Sequence, residues 1–311
     1  MIDVRRLRVL REVALVGSVS GAARALGYTP SAVSQQLAAL ERECGAELLR
    51  RRGRGVELTD EGRLLVEVAE RVGAELEAAE AELAVRAARP GGIVRLLAFA
   101  TALQTLVPRA AAALARSAPE LRLEIDEADP DDALRLLAQQ RADVVVAHDY
   151  DLLERRRHAR LHRRDLLADE LLVVGATDAK RGAAGAKRGA TDAKRGAADA
   201  EVGAAIPLAD LAERDWVLPD RGSACDRVVE RACAAAGFAP RVVARSSDFA
   251  AIAALARATG AVALVPRLAL AASARPLATP VRRQLFAAVR DGAERRPLEA
   301  AVLDALAAAT G

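Results

Sequence analysis

The stretch from residue 20 to residue 62 constrains the fold more than any other part of this 311-residue chain. It reads SGAARALGYTPSAVSQQLAALERECGAELLRRRGRGVELTDEG. Apolar positions at helical spacing stop at Gly27 and resume after Thr29, which requires two helices joined by a tight turn. An arginine-rich hairpin follows. A helix pair with a basic hairpin behind it is how a winged helix-turn-helix looks in sequence. Its second helix is offered to the major groove of double-stranded DNA.

The local signals fix where each element begins. Leu7, Leu10 and Ala14 predict a first helix over about residues 3–16, closed by Gly17. Ser18 or Ser20 can cap a second helix that contains Ala22, Ala23, Ala25 and Leu26. Thr29 is a good N-cap for the third, and Pro30 suits a first turn where a missing N–H costs nothing. Val33, Leu37 and Leu40 then form its buried stripe and leave Ser31, Ser34, Gln35 and Ala38 on the other side. Small polar side chains on an exposed N-terminal half are what reading base edges requires. The competing account is an ordinary solvated helix face, and the elements around it favour the former. In the hairpin, Arg51, Arg52 and Arg54 are poised for phosphates or a narrow minor groove. The expected DNA-contact set is therefore Ser18, Ser20, Thr29, Pro30, Ser31, Ser34, Gln35, Arg51, Arg52 and Arg54.

Thr59 caps the next helix, with Asp60 and Glu61 in its first turn complementing the helix dipole. Leu65, Val68, Val72, Leu76, Ala79 and Leu83 recur at a period near 3.6 and make one apolar stripe. A helix of roughly 28 residues is too long for a small domain to cover, so the stripe predicts a partner helix from a second chain. Pro90-Gly91-Gly92 breaks it.

Composition narrows the function classes. Residues 1–63 hold eleven Arg against eight Asp and Glu, which accounts for the net charge of +3. The basic excess sits with the helix-turn-helix. Three cysteines without paired or metal-ligand spacing fit a reducing compartment. The charged N-terminus lacks a signal-peptide core, and no apolar run reaches the roughly 20 residues of a membrane span. The expectation is a cytoplasmic protein with no membrane, metal or cofactor. An enzyme is disfavoured by three His, no Cys-x-x-Cys, no Gly-rich phosphate loop and no defensible Ser-His-Asp order. No catalytic residue is assigned. A secreted solute-binding protein fails on the N-terminal motif.

The chain resembles the LysR-type transcriptional regulators. The residues that carry the resemblance are Ala22-Ala23-Arg24-Ala25-Leu26, Ala32-Val33-Ser34-Gln35-Gln36-Leu37, Leu40-Glu41, Gly45-Ala46-Glu47-Leu48-Leu49, Arg51-Arg52 and Leu58-Thr59-Asp60-Glu61-Gly62. Two departures stand out: Thr29-Pro30-Ser31 shifts the usual proline by one, and a Phe common near Leu49 is absent.

Beyond the break, Ile93–Ala98, Leu121–Ile125 and Ala142–Ala147 read as strands, with a helix over Asp131–Gln139. A further strand starts at Leu171. The alternation is α/β with a mostly parallel sheet. The resemblance implies two such lobes joined by crossing strands, like a type 2 periplasmic binding protein. It divides the chain into a winged helix-turn-helix (1–58), a linker helix (59–89) and an effector-binding domain (90–311). Lobe one is 92–167 with 267–311, and lobe two is 168–266. A small-molecule effector then sits between the lobes. Thr101 matches the first ligand loop and Ser223 the facing one. Asp129, His148 and Phe249 fall at strand ends bordering the same cleft. These candidates show no dominant charge. The resemblance also implies a homodimer or homotetramer, and contact with RNA polymerase through altered DNA bending.

Residues 176–203 stand apart as four heptads, ATDAKRG, AAGAKRG, ATDAKRG and AADAEVG, which contain all three lysines of the chain. A Gly in each heptad and no bulky apolar residue exclude a packed helix, so the segment reads as a repeat expansion in a surface loop.

Overall fold

The computed structural model describes residues 2–52, 55–86, 92–154, 161–175, 204–270 and 274–311. The heptad segment, Arg54, Pro90 and Gly91 lie outside the described residues.

Three helices open the chain: α1 (Val4–Val16), α2 (Val19–Leu26) and α3 (Pro30–Cys44). Their caps follow from local chemistry. Ser18 Oγ accepts from the Gly21 amide at 3.1 Å, and Thr29 Oγ1 accepts from the Ala32 amide at 3.2 Å. The cap of α2 is thus Ser18, and Ser20 lies exposed within the helix. Leu10, Val13, Ala22, Val33, Leu37 and Leu40 form one core between the three. Strands β1 (Leu49–Arg52) and β2 (Gly55–Leu58) pair antiparallel, Arg51 opposite Val56 and Arg52 opposite Gly55.

Helix α4 (Asp60–Arg86) begins where Thr59 Oγ1 accepts from the Gly62 amide, while the same hydroxyl donates to Glu47 O at 2.7 Å. Along its stripe the first half is partly covered, but Leu76 and Leu83 are 50% and 65% exposed. Among the described residues, these two leucines are left largely uncovered.

The rest is α/β. Strand β3 (Gly92–Ala98) leads through α5 (Ala100–Gln104) and α6 (Leu106–Ser117) to β4 (Leu121–Glu127), and α7 (Pro130–Ala138) leads to β5 (Val144–Tyr150). Then come β6 (Leu161–Val174), β7 (Asp215–Leu218), α8 (Ala224–Ala235), β8 (Arg241–Arg245), α9 (Phe249–Thr259) and β9 (Ala263–Pro266). Strand β10 (Arg282–Arg290) and α10 (Pro297–Ala308) end the chain.

Six strands form one sheet in the order β4-β3-β5-β10-β6-β9, and β7 pairs with β8. A bridge from Trp216 to Val262 ties that pair to the rest. The sheet is mixed, where the sequence suggested mostly parallel. Strand β3 is parallel to β4 and β5, but β10 runs antiparallel to both β5 and β6. The reversal arises because β6 and β10 cross between the two halves in opposite directions. The strand expected to start at Leu171 begins at Leu161, since its first half is stabilised by pairing with β10 rather than by an apolar pattern of its own.

Apolar clusters fill both halves. Leu96, Val144, Val146, Leu285 and Leu303 centre one. Trp216, Leu218, Val228, Val229 and Leu264 centre the other. With aromatics at 2% of the chain, short aliphatic side chains carry most of the burial. Helix α1 also reaches the end of α7: Arg8 Nη2 donates to Gln140 Oε1 at 3.1 Å, and Arg11 to the Ala138 carbonyl.

Candidate functional site

Two regions collect the residues singled out by sequence. The first is the outer side of α3. Ser31, Ser34 and Gln35 are exposed there, as is Ala38, while Val33, Leu37 and Leu40 face the core. Thr29 and Pro30 lie at its start, with Thr29 Oγ1 and Ser31 Oγ 3.0 Å apart. Ser34 Oγ donates to the Pro30 carbonyl at 3.0 Å, and Gln36 Oε1 is held by Arg6 at 3.2 Å. Gln35 has no such restraint among the contacts described. Arg51 and Arg52 lie in β1, and Arg54 lies outside the described residues.

The second is a cleft of about 680 Å³ between the two halves of the α/β region. Thr101, Asp129, His148, Ser223 and Phe249 all border it. They come from five separate segments, brought together because α5, α7, α8 and α9 start at strand ends that face one another. Asp129 is the exposed N-cap of α7, and Ser223 caps α8 by accepting from the Asp226 amide at 3.1 Å. Thr101 is buried in α5, where its carbonyl accepts from Thr105 Oγ1 at 2.7 Å.

The cleft floor holds residues that sequence reading missed. The His148 ring stands edge-on to Phe99 and Tyr150, centroids 4.7 and 4.9 Å away. Arg283 of β10, only 1% exposed, lies with its guanidinium 5.1 Å from the Phe99 ring. Its charge is answered by Asp169 of β6, which accepts from Arg283 Nε at 2.9 Å and from the Leu268 amide at 3.1 Å. At the mouth of α8, Gly222 adopts φ 78°, a left-handed conformation that turns its amide onto Asp226 Oδ2 at 2.7 Å. Asp226 in turn holds Arg245 at 2.6 Å.

Electrostatics differ from the sequence expectation of no dominant charge. Among the described residues, eight carboxylates border the cleft against two guanidiniums. Four of them lie in one stretch, residues 127–132, and the other four at 149, 154, 220 and 248, so the acidic run EADPDD was the local signal available in the sequence.

Burial pushes the Cys225 thiol up to about 11, so it stays protonated and is a poor nucleophile or metal ligand. Among the described residues no cluster of His, Cys, Asp and Glu could hold a metal ion.

Burial, aided by the nearby Arg283 charge, holds the His148 imidazole well below its ordinary value. The unfolded chain therefore binds a proton that the folded chain refuses. The stability His148 permits is complete above about pH 6.5 and is lost as pH falls through that value toward the depressed one. Urea unfolding followed by Trp216 fluorescence should show a midpoint that drops between pH 7.5 and pH 5. His148→Gln should flatten that drop.

Comparison with known proteins bears on both regions. Residues 4–63 match the family described as bacterial regulatory helix-turn-helix protein, lysR family. Residues 87–311 match the LysR substrate binding domain. The transcriptional regulator PtxR of Pseudomonas aeruginosa is 33% identical over 145 residues, a match that covers 47% of this chain and 46% of PtxR. The chain thus spans about half the length of that relative. A full-length OxyR variant from the same species superposes with a TM-score of 0.60 at 19% identity, covering 98% of this chain and 95% of OxyR. Full-length CbnR in complex with its target DNA gives a TM-score of 0.52 at 21% identity, covering 99% and 100%.

Proposed function

We propose, from the premise that this chain belongs to the LysR family, that it is a DNA-binding transcriptional regulator gated by a small molecule. The observation that carries the reading is the pairing, in one chain, of an exposed polar face on α3 with a two-lobed cleft. A helix whose outer side is small and polar can approach base edges without desolvating an unpaired charge. A cleft between lobes can change its opening when occupied.

In this reading residues 1–58 bind operator DNA, with Ser31, Ser34 and Gln35 at base edges. Ser18, Ser20, Thr29 and Pro30 lie near the backbone, and Arg51, Arg52 and Arg54 on phosphates or in the minor groove. Residues 59–89 pair two chains. The uncovered Leu76 and Leu83 support a partner helix, because single exposed leucines at this spacing bury most cheaply against their own copy. The resulting dimer, or a tetramer of two such pairs, presents its reading helices to two half-sites. Residues 90–311 bind the effector, with Thr101, Asp129, His148, Ser223 and Phe249 in the cleft. Closure of the lobes shifts the population between two assemblies that bend DNA differently, which changes contact with RNA polymerase. CbnR, solved with its target DNA, supports the DNA assignment by shared fold. Among the described residues no helix is long and apolar enough to cross a membrane. A cytoplasmic location follows from the proposed role.

Selection of bound genomic fragments by the full chain tests the reading. A small set of enriched sequences with two related half-sites is expected, and uniform recovery of fragments would end it. On the enriched site, Gln35→Ala should cost about 1–3 kcal/mol at one base position and little on substituted sites. Quantitative anisotropy against single-base variants measures this.

A further inference from the structure

We infer that α7 couples the interlobe cleft to the DNA-binding domain of the same chain, because one end of this helix borders the cleft and the other end seats α1. This rests on the reading of the cleft as the effector site and of residues 1–58 as the DNA-binding domain.

The seat is built from both sides. On α1, Arg11 and Glu12 follow Arg8 by three and four residues, so the three share one face. Arg8 Nη2 donates to Gln140 Oε1 at 3.1 Å, and Arg11 donates to the Ala138 carbonyl. Glu12 is only 5% exposed, with Gln139 and Arg135 of α7 beside it. A glutamate on the outside of a small helical domain is ordinarily solvated. Here burial pushes its carboxyl above the ordinary value, against the pull of Arg11, Arg135 and a hydrogen bond with Gln139. Helix α4 rests on the same lobe, against Ala293–Arg295 and α10.

On α7, the last turn is closed by guanidiniums from three elements. Arg290 Nη1 donates to the Leu137 carbonyl at 3.3 Å and Arg95 Nη2 to the Gln140 carbonyl at 3.2 Å, with Arg11 on the Ala138 carbonyl between them. Carbonyls at a helix C-terminus lack intrahelical donors and carry the negative end of the dipole, so cations gather there. Two of these arginines belong to the lobe itself, and the third comes from the DNA-binding domain. Gln140 has φ 61° and is the one non-glycine residue with positive φ among the described residues. That left-handed position after a helix usually falls to glycine. A glutamine adopts it under strain, and its side chain is what Arg8 holds.

The other end of α7 faces the ligand. Asp129, Pro130, Asp131 and Asp132 open the helix and border the cleft. Its nine residues make a rod of about 13 Å between cleft and seat. The rod packs through Ala133, Leu134 and Leu137 on short side chains of the sheet, among them Val145, Ala147 and Ala288. Such a face sets no directional bond against a shift of about 1–2 Å, the scale on which packed helices move between states. The directional bonds are at the seat. A ligand that displaces the first turn therefore strains the seat, which has two states, engaged and released.

The test is hydrogen exchange of the full chain, alone and saturated with the operator duplex that fragment selection yields. Coupling is reciprocal, so DNA that reorients α1 must be felt along α7 as far as the cleft. Operator binding is expected to change exchange of the amides of residues 133–137 about threefold or more in the unaltered chain. Arg8→Ala combined with Arg11→Ala should still bind the operator, checked by anisotropy, and lose that change. Gln140→Gly separates the seat from a purely structural role. It relieves the left-handed strain, so the urea midpoint followed by Trp216 should hold, while the α7 response falls because Arg8 loses its acceptor. A response that persists in the double arginine variant would overturn the coupling and leave the DNA-binding reading in place. So would the absence of any response in an unaltered chain that binds its operator, or a midpoint in Gln140→Gly lowered as far as by a core substitution. Failure of the selection to yield an operator would end the DNA-binding reading itself, and the coupling with it.

Discussion

Asp169→Ala should cost the effector half about 3–5 kcal/mol, the range for removing one partner of a buried ion pair. Asp169 and Arg283 are each only 1% exposed at the side chain, so the guanidinium left behind has no water to turn to. The Leu268 amide loses its acceptor as well, at 3.1 Å from Asp169 Oδ1. The pair joins β6 to β10, the two strands that cross between the lobes, and Arg283 also stacks near Phe99 on the cleft floor. Damage there should reach both lobes. The chain has one tryptophan, Trp216, fully buried in the second lobe with Nε1 donating to the Leu211 carbonyl at 3.3 Å. Its fluorescence therefore follows urea unfolding of the effector half. A double variant, Asp169→Leu with Arg283→Met, removes both charges and should be less destabilised than either single change. If Asp169→Ala shifts the midpoint no more than a surface substitution does, the pair is not a structural tie.

That pair also shows where sequence reading stops. Caps were legible because a hydroxyl meets an amide three residues away: Ser18 with Gly21, Thr29 with Ala32, Thr59 with Gly62. The buried stripe of α3 was legible because one helix turn repeats it. Arg283 and Asp169 are 114 positions apart, and nothing local marks either as buried. Both sit in charged stretches, RRQLF and LADEL, that read as exposed edges. The first half of β6, LHRRDLLADE, has no clean alternation because pairing with β10 stabilises it. The cleft divides the same way. Thr101 and Ser223 came from the family resemblance, and Asp129 and His148 from strand ends. Half of the acid excess, at residues 127–132, stood in the sequence as one run, but Asp149 of β5, Asp220 and Asp248 join it only when the walls are assembled.

Replacing Arg52 and Arg54 together by alanine should weaken DNA binding about 10- to 100-fold near 0.1 M salt, on any sequence. The argument is counterion release: each phosphate neutralised contributes about 0.9 to the slope of log affinity against log salt. Two lost contacts should therefore reduce the slope by nearly 2. Strands β1 and β2 pair with Arg52 opposite Gly55, which places Arg52 at the tip side of the hairpin. Just ahead of it, the α3 residues Ser34 and Gln35 are uncharged, so changing them should alter base preference and leave the slope intact. The contrast separates the two roles with one instrument: anisotropy titrations on the selected operator and on a scrambled duplex, each at several salt concentrations. The arginine variant should lose affinity on both duplexes in parallel, and Gln35→Ala only on the operator. An unchanged slope in the arginine variant would remove the hairpin from the DNA and leave α3 to bind alone. Uncharged side chains on one helix would then have to hold a polyanion, which they cannot do at physiological salt without other cations close by. Arg24, exposed in the last turn of α2, would be the next residue to replace.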